Sequence, residues 1–348
     1  MATLRQQIGQ MLIMGFNGVE LDKDYPVKNW LSTDGLGGVL LFDFDVANNA
    51  QGKNLQNRQQ IINLTQQLKD CAAGDLPLFV SVDYEGGAVD RFKKIGGCMT
   101  TINPCQLTTL PDNQLIDLLQ QMADMIKSLG FTLNFAPVVD LSLNEKEGII
   151  GKLGRSFSSD PAQVIRVART FVSVFAENGI SCCYKHFPGH GSATGDSHEG
   201  FVDVTDTFES KELEPYQSLL ATDDSTAMVM TAHVINRQLD PTGMPATLSH
   251  PILTGLLREK IGFDGVIISD DLQMHAISQH FSVEESLRLT INAGADMVIF
   301  ANQLGSVSAT AVIDIIENLV RSNQIPMSRI EQAYQRIVTL KCSQMAFA

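Results

Sequence analysis

No apolar run in this chain approaches the roughly 18 residues that mark a membrane-spanning helix, so no membrane partner is expected. Nor is there a cluster of lysines and arginines of the kind that tracks phosphates. With 25 basic residues against 39 acidic ones the formal charge is -14, which argues against nucleic acid as a partner. The six cysteines, at positions 71, 98, 105, 182, 183 and 342, have neither zinc-knuckle nor CxxC spacing. That pattern speaks against a zinc framework, a dithiol redox site and disulfides alike. Cys182 and Cys183 stand inside an apolar run and read as core. The first strand pattern is not followed by GxGxxG, so the dinucleotide-binding turn is missing. Met1 to Phe16 has one arginine and only the short apolar stretch Met11-Leu12-Ile13-Met14. It lacks the length and cleavage site of a signal peptide, which makes the cytoplasm the expected location. No Gly-, Ser- or Pro-rich linker divides the chain.

What is present is an alternation of short apolar runs with longer amphipathic ones. The runs Met11–Phe16, Gly38–Phe42, Leu78–Asp83, Thr132–Asp140, Cys182–His186, Met228–His233, Gly265–Asp270 and Met297–Ala301 have the continuous apolar character of strands buried on both faces of a parallel sheet. Between them lie helix patterns. One opens near Pro111-Asp112, carries Leu115, Leu118, Leu119, Met122, Met125, Ile126 and Leu129 on one stripe, and stops at Gly130. Another starts at the cap Asp160-Pro161 and ends near Gly179. Asn54–Leu68, Ser210–Leu220, Pro251–Leu257, Val283–Ala293 and Val307–Val320 read as further helices, and Ser328–Leu340 as a closing one. Eight β–α units predict an α/β fold, a (β/α)8 TIM-type barrel, with residues 1–348 forming a single catalytic domain.

In such a barrel the C-terminal strand ends share one mouth. Here the third strand ends in Asp83, with Glu85-Gly86-Gly87 following. The fourth ends in Asp140, the fifth in Lys185-His186, the sixth in His233 and the seventh in Ser269-Asp270-Asp271. One such residue could be a helix cap or a satisfied core group. Five together suit a small polyhydroxylated ligand, because carboxylates accept from hydroxyls while Lys, Arg and His donate. Glycoside hydrolysis needs an acid for the leaving oxygen and a carboxylate that attacks carbon or activates water. Asp270 is the candidate nucleophile, and Asp271 the carboxylate that holds the rim together.

The stretch from Lys185 to His198 (Lys-His-Phe-Pro-Gly-His-Gly-Ser-Ala-Thr-Gly-Asp-Ser-His) holds three of the seven histidines. It is too rich in Gly and Pro for a regular element. Three readings compete: a solvated surface loop, a metal site, and a catalytic pair of Asp196 and His198. Pro188 and Gly189 deny His186 and His190 the helical face of the two-histidine zinc motif. A carboxylate beside an imidazole fixes its tautomer and favours its protonated form.

The chain resembles glycoside hydrolase family 3, and within it the single-domain bacterial β-N-acetylhexosaminidases. The resemblance runs through Gly9-Gln10-Met11-Leu12, Asp83-Tyr84-Glu85-Gly86-Gly87 with Arg91-Phe92, and Asn134-Phe135-Ala136-Pro137-Val138-Val139-Asp140. It continues in Arg155-Ser156-Phe157 with Asp160-Pro161, Lys185-His186-Phe187-Pro188-Gly189-His190-Gly191 and Asp196-Ser197-His198. It closes with Thr231-Ala232-His233 and Ser269-Asp270-Asp271-Leu272. The resemblance implies Asp270 as nucleophile, His198 as acid/base and Asp196 as its partner. It implies Asp83, Arg91, Arg155, Lys185 and His186 as the residues that hold the sugar. Many members of the broad family take the acid/base from a carboxylate on a second domain. Here the Asp-Ser-His loop is expected to fill that role, which favours the N-acetylglucosaminidase branch over a β-glucosidase. Ala88 stands where Arg usually follows Gly-Gly, Ser192-Ala193 where Asp-Thr is common, and the loop Gly151-Lys152-Leu153-Gly154 is longer than usual.

The implied activity is removal of non-reducing terminal β-linked N-acetylglucosamine from cell-wall fragments (muropeptides) that end in anhydromuramic acid. It proceeds by double displacement and requires no metal or organic cofactor. The alternatives are a β-glucosidase, xylosidase or phosphorylase activity on the same barrel, a metal-dependent hydrolase using His186, His190, His198 and Asp196, and a silent sugar-binding barrel.

Overall fold

The computed structural model describes residues 2–22, 25–195, 200–221 and 227–345. Eight parallel strands close into a barrel: β1 (Leu12–Gly15), β2 (Gly38–Leu40), β3 (Phe79–Val82), β4 (Leu133–Asn134), β5 (Ser181–Phe187), β6 (Met228–Thr231), β7 (Ile267–Asp271) and β8 (Met297–Phe300). Each pairs with its sequence neighbours, and β1 joins β8 through Ile13 opposite Ile299 and β2 through Ile13 opposite Gly38. All eight correspond to the apolar runs of the sequence. Their side chains are buried almost throughout because helices cover the outer face.

The main helices of that layer are Arg58–Cys71, Asp112–Ser128, Pro161–Glu177, Glu214–Leu219, Pro251–Lys260, Val283–Ala293, Ala309–Arg321 and Met327–Met345. Start signals act as expected. Asp160 caps its helix by accepting from the Ala162 amide (3.0 Å), ahead of Pro161 in the first turn. Ser210–Leu220, which reads as one helix in the sequence, is a 3₁₀ turn at Ser210–Leu213 followed by an α-helix at Glu214–Leu219, with Pro215 in its first turn. Pro251–Lys260 is wound as a π-helix and runs three residues past its expected end. The run Thr132–Asp140 forms a regular strand only at Leu133–Asn134 and rejoins β5 through a single parallel bridge from Val138 to Lys185, since Pro137 between them has no N–H to donate. The short helix Leu4–Gln10 has no counterpart in the sequence reading. It is held by a capping box between Thr3 and Gln6. No described helix is long and apolar enough to cross a membrane.

Two register shifts shape the mouth of the barrel. Between Val229 and Thr231 of β6, the partner β5 advances from Tyr184 to Phe187, three residues against two. Between Met297 and Ile299 of β8, β7 advances from Ile268 to Asp271, again three against two. An extra residue of this kind re-aims side chains and raises local twist. Both extra residues fall at the C-terminal mouth, where Lys185-His186 and Asp270-Asp271 stand.

The opposite end of the barrel is closed by the helix Met327–Met345. Its Lys341 is fully buried, donates to Gln10 Oε1 and the Gly37 carbonyl (both 2.8 Å), and lies 4.6 Å from the Phe79 ring centroid. Burial pushes this amine down to a pKa of about 7. An unfolded lysine titrates near 10.4, so between about pH 7 and 10 the unfolded chain binds the extra proton and stability rises with pH. Lys341→Met is expected to remove that rise. Urea unfolding of both proteins from pH 7 to 10 checks this. The stability difference should move in favour of the wild type by about 2 to 4 kcal/mol, since each pH unit of that interval carries about 1.4 kcal/mol.

Candidate active site

The mouth of the barrel holds a cavity of about 450 Å³. Asp83, Arg91, Arg155, Lys185, His186 and Asp270 all line it, together with Glu85 and Asp271. Six of the eight site residues expected from sequence therefore meet in one place. The other two, Asp196 and His198, lie outside the described residues.

The bulged strand ends explain how adjacent residues share this cavity. In a regular strand neighbouring side chains point to opposite faces. At the mouth both Lys185 and His186 reach the cavity, and so do Asp270 and Asp271.

After β3 the chain folds back as a tight hairpin, Tyr84–Gly86 against Val89–Asp90. Its turn needs glycine. Gly87 has φ +57°, and a Cβ there would sit 2.5 Å from Asn103 Oδ1. The hairpin returns Glu85 and Arg91 over the end of β3. Glu85 is buried and binds two cations. It accepts from Arg155 in fork geometry (2.8 and 2.7 Å) and from Lys185 Nζ (2.7 Å). Lys185 also reaches Asp83 Oδ1 (3.1 Å), and Arg91 reaches Asp83 Oδ2 (3.2 Å). Burial works against the charged form of Glu85, but Arg155 and Lys185 outweigh it and hold the carboxyl well below its usual range. Burial opposes the charged form of Asp83 too, and Lys185 and Arg91 likewise hold it low. The Lys185 amine is raised, because Glu85 and Asp83 overcome the cost of burying it. The cluster is thus a set of fixed charges at neutral pH that lines the cavity with donors and acceptors.

Asp140 organises the next layer. Its Oδ2 accepts from the His186 backbone amide (3.1 Å) and bonds the His186 ring at Nδ1 (2.7 Å). Its Oδ1 accepts from the His190 amide (2.8 Å). Nδ1–H donating to the carboxylate fixes the orientation of the His186 ring, which lines the cavity. Desolvation drops the His190 ring to a pKa of about 4, so it is neutral at pH 7. Both histidines stand around Asp140 as parts of one hydrogen-bonded loop base, while Asp196 and His198, the other two residues of the metal-site reading, lie outside the described residues. Among the described residues no three of His, Cys, Asp and Glu converge as metal ligands would.

Two residues escape a reading of the sequence. Glu85 stands out there only within its motif, although it is the hub of the ion pairs. Glu212 does not stand out at all. It sits beside Lys211 in a polar stretch, yet it is buried, and its Oε2 accepts from the Gly191 and Ser192 amides (3.1 and 3.3 Å). Asp140 and Glu212 together fix the loop backbone from His186 to Ser192. No local signal separates Glu212 from the exposed acidic residues around it.

On β7, Asp270 Oδ1 accepts from the Asp271 amide (2.8 Å). Asp271 Oδ1 accepts from the amides of Gln273 (3.0 Å) and Ala301 (3.1 Å), tying β7 to the loop after β8. The Asp271 carbonyl accepts from His233 Nε2–H (2.9 Å), so in the neutral ring Nδ1 accepts from the Thr247 hydroxyl (2.7 Å). Asp271 and His233 are therefore rim fasteners on either side of Asp270.

Comparison with known proteins places this geometry. The model of the glycosyl hydrolase family 3 N-terminal domain matches residues 3–340. A β-hexosaminidase of Tolumonas auensis is 35% identical over 314 residues, covering 88% of this chain and 86% of that protein. β-Hexosaminidase A of Pseudoalteromonas piscicida is 30% identical over 376 residues and covers 97% of this chain, which spans 61% of that longer relative. The structure of a family 3 β-N-acetylglucosaminidase from Paenibacillus sp. superposes with a TM-score of 0.88 at 31% identity, over 100% of this chain and 64% of the other.

Proposed function

The chain belongs to glycosyl hydrolase family 3, and from that premise we propose that it is a retaining β-N-acetylhexosaminidase acting on terminal β-linked N-acetylglucosamine. The carrying observation is that Asp270 and five sugar-holding candidates line one cavity at the barrel mouth. Asp83, Arg91, Arg155, Lys185 and His186 hold the sugar hydroxyls. Asp270 attacks the anomeric carbon while protonated His198 gives its proton to the departing oxygen, so the glycosidic bond breaks as a glycosyl ester forms. Neutral His198 then takes a proton from water, whose oxygen displaces the ester and releases the sugar. An imidazole with an ordinary pKa near 6.5, raised by the Asp196 carboxylate, can serve in both steps near neutral pH. The relatives named β-hexosaminidase support this class of substrate. The family resemblance supports the finer part of the proposal: cell-wall fragments ending in anhydromuramic acid, processed in the cytoplasm by this one barrel, residues 1–348.

A 5-fluoro N-acetylglucosaminyl fluoride, which forms the ester faster than it is hydrolysed, should inactivate the enzyme. Peptide mapping should place one sugar on Asp270. Inactivation with no residue labelled would point instead to attack by the substrate's own acetamido group.

A further inference from the structure

The cavity has two unlike halves. Its floor is the ion cluster described above. Its outer wall carries Val46, Leu153 and Leu304, which are 48, 40 and 39% exposed. Only eight large hydrophobic side chains are this exposed among the described residues, and three of them surround this one opening. Scattered surface hydrophobics need no explanation, but a group rimming a polar site marks a binding surface.

The wall is built rather than loose. Val46 follows the hairpin strand Phe44–Asp45, and Gln303 zips that strand to the loop bearing Leu304. Its Oε1 accepts from the Val46 amide (3.1 Å) and its Nε2 donates to the Phe44 carbonyl (2.9 Å). Leu153 follows the short helix Ile149–Lys152, which the Arg155 amide fastens through the Ile150 carbonyl (2.9 Å). Arg155 is itself forked onto Glu85. Gln303 is the polar side chain of this wall, and both ends of its amide are committed to backbone. A group bound there meets carbon.

We propose that this wall is an apolar aglycone subsite, selecting an alkyl- or aryl-bearing leaving group over a fully hydroxylated second sugar. The inference rests on the reading of the ion cluster as the glycone site. A hydroxylated sugar against Val46, Leu153 and Leu304 would find no hydrogen-bond partner in their side chains, whereas each buried methylene gains about 0.8 kcal/mol.

A series of 4-alkylphenyl N-acetyl-β-glucosaminides, from methyl to butyl, tests it, because leaving-group acidity stays nearly constant along the series. In the wild type kcat/KM is expected to climb about two- to fourfold per methylene until the wall is covered. The triple variant Val46→Ser, Leu153→Ser, Leu304→Ser should flatten that climb. Inhibition by free N-acetylglucosamine, which needs only the charged half, should stay the same. A flat series in the wild type, or an equal climb in the triple variant, overturns the proposal. Failure of the wild type to hydrolyse any member, with no inhibition by the free sugar, would instead sink the underlying hexosaminidase reading.

Discussion

Asp270→Gly is expected to lower kcat by about 10⁴-fold or more, roughly 5.5 kcal/mol of lost transition-state stabilisation. No neighbour can take over. Asp83 and Glu85 are tied to cations, and Asp271 Oδ1 is tied to two backbone amides. Glycine leaves a carboxylate-sized gap in the cavity wall. Azide entering that gap should restore part of the rate, and the product should be the α-glycosyl azide. Direct attack by azide inverts the centre once, whereas the double displacement proposed for the wild type retains it. Product stereochemistry by NMR is the decisive reading. A variant that keeps more than a few per cent of wild-type kcat, or an azide product of β configuration, would remove Asp270 from the nucleophile's role.

That expectation begins with a strand pattern. Gly265-Val266-Ile267-Ile268 followed by Ser-Asp-Asp says that a rigid apolar strand delivers a carboxylate to the barrel mouth. The same logic finds all eight strands and brings Asp83, Lys185 and His186 to one cavity. Period and polarity suffice for this, because a strand buried on both faces tolerates a charged residue only where it emerges. Pairing is not legible in the same way. Glu85 meets Arg155 across 70 residues and Lys185 across 100, and no local pattern encodes such a contact. Nor are the two bulges visible, although they let neighbours such as Lys185 and His186 share a face. Glu212 shows a third kind of failure. Its local sequence is that of the polar first turn of a surface helix, and only the approach of Gly191 and Ser192 makes it a buried anchor. The apolar wall around Val46, Leu153 and Leu304 is hidden for the same reason, since three loops from different strands build it.

Glu85→Gln should be strongly damaging although it is isosteric. The carboxylate accepts three strong bonds: Arg155 Nε at Oε2, and Arg155 Nη2 and Lys185 Nζ at Oε1. A glutamine can keep its oxygen toward Nη2 and Nζ, but its NH₂ must then face the Arg155 Nε–H, donor against donor. Two buried cations also lose the counter-charge they share. Breaking a buried pair from one side costs about 3 to 5 kcal/mol, and urea unfolding at pH 7 should show a loss in that range. The pH dependence carries a second signature. Glu85, Asp83 and Asp140 are all held below their ordinary values, so each stabilises the fold fully above about pH 4 and stops doing so as the pH falls through its folded-state value. With Glu85 gone, the loss of stability below pH 4 should be shallower than in the wild type. On the proposed sugar-holding role of Arg155 and Lys185, KM for an aryl N-acetylglucosaminide should rise on the order of tenfold, because the two cations are no longer held in place before the sugar arrives. A variant with wild-type stability and KM would mean that the two cations are positioned by packing alone, and that Glu85 only balances their charge.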